Sequence, residues 1–369
     1  MDTPAIRAKG AGVSYTIVRY VSRLLFGHLA MLVVGFVALL QILDLLNNAD
    51  DITARHGSNV SALATYALLR LPQLVNLILP FAMLMAALLC LARLVRGNEI
   101  IAMKAGGFSF YKLLLAFVPA AFVVGIAYFI VNDQLVPWTT KSLATWDAAP
   151  NPPTENSAPV WLRDGQVLVG VEGVAEEGHL LSDVRVFERD DRGILTEQIN
   201  AKKAINRDGK WFFQDTWRFN MREGQNTNAI FAAELPWDTS LTPAHFANLA
   251  MDPATLSFRD LLQFIIKPNV GARSVFFYQT WLQHKVALPI TLLVMILLAA
   301  PVAQGMLRQG GMATGLALGV ALGFLYFVCE GLMLTLGETG ALAPLVAAWA
   351  PPVLFGTLGT FWLLRVEGY

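Results

Sequence analysis

Six stretches of this chain stay apolar for about the thickness of a bilayer, and polar residues gather between them. A hydrocarbon core of about 30 Å needs roughly 20 helical residues at 1.5 Å rise each. Residues 24–43, 71–92, 113–132, 286–307, 312–337 and 339–364 qualify. The second stretch carries Pro72 and Pro80, Glu330 interrupts the fifth, and a very tight turn around Glu338 joins the last two. Between the third and fourth the pattern changes to period two, visible at residues 166–171 and 184–187. Turn signals recur there at Asp164-Gly165, Asp191-Arg192-Gly193 and Asp208-Gly209. Short antiparallel strands are predicted, forming a small β-sandwich or jelly roll. Asn151-Pro152-Pro153 reads as the linker into that region. On the way back, Ser257 and Asp260 sit at the N-cap and N3 positions of a helix over SFRDLLQFI. The pattern divides the chain into a first membrane half (1–132), a β-domain with its linkers (133–271) and a second membrane half (272–369).

Basic residues orient the spans. Arg7, Lys9, Arg19 and Arg23 precede the first. Arg93, Arg96, Lys104 and Lys112 lie between the second and third, Arg308 between the fourth and fifth, and Arg365 after the sixth. Alternating spans place all of these on one side, with both termini cytoplasmic. After the first span Arg55 and Arg70 are outnumbered by Asp44, Asp50 and Asp51. The β-domain then lies outside. The first long apolar run begins only near Leu24, which suits a retained helix rather than a cleaved signal.

Composition agrees. The 369 residues are 55% hydrophobic and 15% charged, with a mean hydropathy of +0.52, whereas soluble chains carry about 25% charge. A formal net charge of zero leaves no basic field for nucleic acid. Cys90 and Cys329 fall in separate apolar runs and read as small buried residues. No G-x-x-x-x-G-K-[ST], H-E-x-x-H, C-x-x-C or G-x-S-x-G occurs, and GMLRQGG lacks the lysine that a phosphate loop needs. His28, His56, His179, His245 and His284 are scattered. No catalytic or metal-binding constellation is in view.

What stands out is charge placed where charge is costly. Glu330 lies within the fifth span and Lys285 at the edge of the fourth. An ion pair between them, fastening the two helices, is the expectation. Arg70 and Arg273 fall near the outer surface. They suit either ordinary snorkelling or recognition of an anionic head group.

The stretch RLVRGNEIIAMKAGGFS, residues 93–109, is too short and too polar to span. Asn98 can cap a short helix over about residues 96–107, and Gly106-Gly107 can end it. A positive-inside loop explains Arg93, Arg96 and Lys104 but not Glu99. A helix with one acid and the apolar residues Ile100, Ile101, Met103 and Ala105 suits docking into a partner's groove.

GNEIIAMKAGGFS resembles the E-[LI]-x-x-M-x-A-x-G-[FL] signature of the lipopolysaccharide-export permeases, the LptF/LptG (YjgP/YjgQ) family. RYVSRLLFGHL, LPQLVNLILPFAMLMAALLCLARL and WLRDGQVLVGV resemble that family's start, second span and β-domain opening. LDLLNN and LAPLVAAWAPPVLFGTLGTFWLL are more like its LptG branch. The resemblance implies a bacterial inner-membrane, multi-pass subunit of an ABC transporter, with six transmembrane helices and a periplasmic β-jelly-roll domain after the third. It implies an LptF-like partner permease, an LptB-like ATPase dimer that alone holds ATP and Mg, and an LptC-like protein leading to a periplasmic bridge. This chain would bind no cofactor and be no enzyme itself. Arg96, Glu99, Ile100, Met103, Ala105 and Gly107 would meet the ATPase. Phe36, Leu40 and Leu43 of the first span, with Phe324 and Phe327 of the fifth, would line the cavity and its lateral gates. The lysines that the resemblance implies after the first span are replaced by Asn47-Asn48 and Asp50-Asp51. Either Arg55, Arg70 or Arg273 would then meet the lipid head group, or the substrate carries a different head group. The rival readings are an ABC mechanotransmitter that moves no lipid and a membrane-anchored assembly protein. Neither accounts for six spans and Glu99 together.

Overall fold

Backbone polar groups have no water to bond within hydrocarbon, so an apolar run there becomes a helix. A computed structural model describes residues 15–57, 59–147, 160–175, 178–190, 192–221, 229–239, 241–243, 246, 255–266, 270–271, 273–309 and 311–367. The tail residues Arg7 and Lys9, the linker Asn151-Pro152-Pro153, and Asp191 lie outside the described residues. Helices α1 (Tyr15–His56), α2 (Val60–Arg96), the short α3 (Glu99–Ala105) and α4 (Phe110–Ile130) come first. A π-helical turn (Val131–Leu135) carries α4 directly into α5 (Val136–Asp147). The strand region and α6 (Phe258–Ile266) follow, and then α7 (Val275–Gln309), α8 (Met312–Glu338) and α9 (Pro344–Glu367). Among the described residues six helices are long and apolar enough to cross a membrane: α1, α2, α4 continued into α5, α7, α8 and α9.

Two sequence boundaries need correction. The third span does not stop at residue 132 but continues to residue 146. Asn132 and Asp133 ended the apolar window, yet both are paired inside the helix bundle, so the helix does not have to end there. The sixth span begins at Pro344 rather than 339. Proline suits a first helical position because its missing N–H has no intrahelical partner there.

Helices α2 and α7 form the centre: 67% and 72% of their most apolar windows are buried, against 11% for α1 and 22% for α8. The last two therefore keep most of their apolar surface available. Glycine allows a close approach at the turn end of α8. A Cβ on Gly337 would lie 2.5 Å from Ala347 Cβ and 2.8 Å from Thr280. Gly337→Val is expected to cost about 1–3 kcal/mol by overpacking, read as a lower melting midpoint in detergent. Gly331→Ala, which meets nothing within 4 Å, should melt like the parent.

The strands are β1 (Val160–Asp164), β2 (Val167–Ala175), β3 (Leu180–Arg189), β4 (Leu195–Arg207), β5 (Lys210–Asn220), β6 (Ala229–Trp237) and the two-residue β7 (Val270–Gly271). They form one antiparallel sheet in the order β6-β5-β4-β3-β2-β1-β7. The Asp208-Gly209 signal acts as read: both residues take positive φ, 51° and 80°, as a two-residue hairpin turn requires.

One row of this sheet is irregular. The ladders skip Glu172, Asp183, Lys202, Asp215 and Ala233, which lie opposite one another across five strands. Asp183 and Asp215 are left-handed there, at φ 49° and 51°. The buried set also changes parity across the row. Leu181 gives way to Val184 and Val186, Ile199 and Ala201 to Ala204, and Trp211 and Phe213 to Thr216. A shift of one position exchanges the faces of a period-two strand, so the row is a seam between two halves of the sheet.

Candidate functional site

The short helix α3 is built by its borders. Gly97 N–H bonds back to Arg93 O and Asn98 N–H to Val95 O, each at 3.0 Å, closing α2. Asn98 stands at the N-cap of α3, but its side chain makes no capping bond. Its contribution is a left-handed backbone, φ 55°, which asparagine tolerates better than most residues. At the other end Gly107, φ +76°, donates to Lys104 O at 3.0 Å, and Phe108 N–H donates to Met103 O at 2.9 Å. That pair of bonds is a Schellman ending, as Gly106-Gly107 suggested. Ser109 then caps α4, its hydroxyl accepting from Lys112 N–H.

This geometry sorts the residues picked from the motif. Ile100 is only 2% exposed, and Met103 packs against the membrane core with Phe108. These two anchor α3 from beneath. Ile100 is sealed against its own core and cannot enter another protein's groove, whereas Met103 is half-buried. Arg96, Ile101, Lys104, Ala105 and Gly107 are exposed, and Ile101 is the apolar knob that faces out. Glu99 is half-buried and accepts a hydrogen bond from Tyr20 Oη at 3.0 Å. The first turn of α3 is thus tied to α1. No sequence signal pointed to Tyr20, which lies 79 positions away.

The other end of the bundle holds two polar networks. In the first, Asp44 of α1 accepts from Tyr66 Oη at 2.9 Å and lies 3.4 Å from Arg70 Nε. Arg70 also donates to Gln73, which reaches Thr140 of α5. Arg70 thus joins α1, α2 and α5, with 35% of its side chain exposed. Arg55 is exposed in the last turn of α1. Arg273 is exposed beside the start of α7, its guanidinium 4.9 Å from the Phe277 ring centroid.

The second network replaces the expected pair of Lys285 with Glu330. Lys285 is 1% exposed. Its Nζ donates to Asn132 Oδ1 at 2.6 Å and Asn132 O at 3.1 Å, and lies 4.0 Å from Asp133 Oδ1. Asn132 in turn donates to Asn76 of α2 at 2.8 Å. Glu330 instead accepts from Tyr326 Oη at 3.3 Å and lies 3.8 Å from His284 Nδ1. Consecutive helical residues point about 100° apart. His284 therefore faces α8 while Lys285 faces the π turn, which sequence spacing alone did not resolve. Asp133 also accepts the Phe258 N–H at 2.5 Å, at the first residue of α6. Ser257 caps that helix as predicted, accepting the Asp260 N–H at 3.2 Å, and its hydroxyl donates to Asp260 Oδ2 at 2.8 Å; Lys141 lies 3.8 Å from Asp260. The π turn thus joins α7, α2 and the helix that returns from the sheet.

The proposed gate residues lie on the two least buried spans. Phe36 packs edge-on to Phe81 of α2, ring centroids 5.5 Å apart. Leu40 is half-buried and Leu43 exposed. On α8, Phe324 is exposed and Phe327 half-buried. Tyr326 between them points inward, 3.0 Å from Thr291 Oγ1 and edge-on to Phe355.

Residues 19–365 match the family described as Lipopolysaccharide export system permease LptF/LptG. The chain belongs to the LptF/LptG family. Among its curated relatives, the lipopolysaccharide export system permease protein LptG of Escherichia coli (strain K12) is 22% identical over 353 residues, covering 94% of this chain and 97% of the relative. The LptG protein of Haemophilus influenzae is 22% identical over 357 residues, with 95% and 98% covered. An LptF/LptG permease is a membrane transport subunit rather than an enzyme. The family match runs through both membrane halves, the α3 corner and the sheet between them.

Proposed function

We propose that this chain is one permease subunit of a lipopolysaccharide exporter, driven by a separate ATPase that docks at α3. The observation that carries the reading is α3 itself. It is a capped seven-residue helix, anchored from below by Ile100 and Met103, showing Arg96, Ile101 and Lys104 outward, and tied to α1 through Glu99 and Tyr20. A partner groove that receives Ile101 between two cations can push on α3, and the Tyr20–Glu99 bond passes that push to α1.

On this reading α3 and both termini are cytoplasmic, the membrane is the bacterial inner membrane, and the sheet lies in the periplasm as a jelly-roll-type domain. An LptF-like permease completes the cavity against the open faces of α1 and α8, with Phe36, Leu40, Leu43, Phe324 and Phe327 at its lateral gates. Arg55, Arg70 and Arg273 are the cations assigned to the anionic head group on this reading. Removing an acyl chain from the bilayer costs about 0.8 kcal/mol per CH₂ exposed to water. An apolar cavity lowers that cost, and ATP hydrolysis on an LptB-like dimer supplies what remains. An LptC-like protein then receives the lipid from the sheet.

Purification of the chain from its native membrane tests this, with mass spectrometry of bound lipid and an ATPase assay. Co-purifying ATPase activity together with lipopolysaccharide is expected. An intact chain that brings neither overturns the reading, and ATPase without lipopolysaccharide overturns the assigned substrate. Tyr20→Phe should leave ATPase association intact but reduce lipid moved per ATP by up to about tenfold. One hydrogen bond is worth about 0.5–1.5 kcal/mol. An unchanged ratio would remove Tyr20 from the coupling path.

A further inference from the structure

The seam of the sheet opens a cavity of about 430 Å³ on its exposed side, within the ~300–1,000 Å³ range of small-molecule sites. Its floor is crossed by an aromatic pair, Trp217 and Phe231, with ring centroids 5.2 Å apart. Both rings are unusually open, at 48% and 52% exposed. Around them stand groups of both charge signs. Asp183, Lys202 and Asp215 are exposed, and no side-chain hydrogen bond or ion pair holds any of them among the described residues. Arg185 is held in place by Glu172. The two aspartates hold left-handed backbones, a conformation uncommon for non-glycine residues.

We propose that this groove binds saccharide and takes the sugar portion of lipopolysaccharide, which rests on the export reading above. An acyl chain would have to desolvate Lys202 and Arg185, which is costly. A polyanion would meet Asp183 and Asp215. A sugar ring matches the mixture: its apolar face covers an aromatic ring that carries a large apolar surface. Its hydroxyls donate to the carboxylates and accept from the lysine and guanidinium. The groove is lined by strand residues and not by the membrane helices, so it would hold the polar part of the lipid while the acyl chains are handled elsewhere.

The test uses the full complex, in its parent form and with Trp217→Ala, and three probes. These are lipopolysaccharide with a complete core, lipopolysaccharide trimmed to its innermost sugars, and the delipidated core oligosaccharide. The proposal expects oligosaccharide binding by the parent, weakened at least tenfold by Trp217→Ala. Affinity for the complete lipid should fall severalfold and affinity for the trimmed lipid should stay the same. Phe231→Ala, a second exposed position, should repeat the pattern. Equal loss of both lipids, or no oligosaccharide binding by a parent complex that does bind trimmed lipid, overturns the groove but leaves the export reading standing. Loss of a co-purifying protein with sugar binding unchanged overturns it in favour of a protein-docking face. A parent complex that binds neither lipid overturns the export reading itself.

Discussion

Lys285→Met should lower the melting midpoint of the purified chain by on the order of 10 °C, reflecting a loss of about 3–5 kcal/mol. The lysine is sealed, with its ammonium satisfied by both oxygens of Asn132 and faced by Asp133. Methionine fills much of the same volume but donates nothing. Asn132 Oδ1 then loses its strongest donor, and Asp133 retains only the Phe258 N–H against its charge. Breaking one side of a buried ionic contact costs more than the contact is worth when whole, because the surviving charge stays buried. Lys285→Met with Asp133→Asn should recover part of the loss, and the double-mutant cycle isolates the coupling. Glu330→Gln serves as the contrast. If Glu330 were the partner of Lys285, it would mimic Lys285→Met; the geometry instead predicts no coupling energy between these positions. A Lys285→Met protein that melts like the parent would contradict the network.

Glu99→Lys should abolish ATPase association and reduce transport to background. The substitution removes the acceptor of the Tyr20 hydroxyl. It places a cation in the first turn of α3, where an acid is favoured, and groups it with Arg93, Arg96 and Lys104. Loss or reversal of a charge at a partner contact costs about 2–5 kcal/mol, a factor of roughly 30 or more in affinity. Glu99→Gln keeps an acceptor for Tyr20 and removes only the charge, so it should fall between the two. Pull-down of the ATPase by each variant, with thermal melting as the check on folding, reads the series. Retained ATPase binding by a folded Glu99→Lys chain would show that α3 is not the docking element.

Much of this architecture was legible because membranes impose a simple rule. The apolar runs at residues 24–43 and 71–92 had to be helices, and the structure extends each by whole turns at its polar ends. The α3 ending was legible too, since Gly106-Gly107 has few other uses after EIIAMKA. The ends of spans failed where polar residues were paired out of sight. Asn132 and Asp133 look like an exit from the membrane until Lys285, 153 positions later, is seen to bind them. The Lys285–Glu330 expectation failed for a related reason. Sequence places both near one depth but does not give the helix rotation that turns Lys285 to the π turn and His284 to α8. The strands were legible only where alternation held. At the seam, LLSDVRV has buried residues at both parities, so counting by twos fails at Asp183, the place where the cavity opens. The outward set on α3 is a matter of rotation as well: Ile100 and Ile101 are adjacent and equivalent in sequence, and only packing shows which one faces a partner.

The most direct test of the account is ATP-dependent removal of lipopolysaccharide from proteoliposomes that hold this chain, its partner permease and the cognate ATPase. Release to an acceptor in the medium should require ATP, proceed with the parent chain and fall to background with Glu99→Lys, while phospholipid stays in the vesicle. Steady ATP hydrolysis with no lipopolysaccharide leaving the membrane would contradict it.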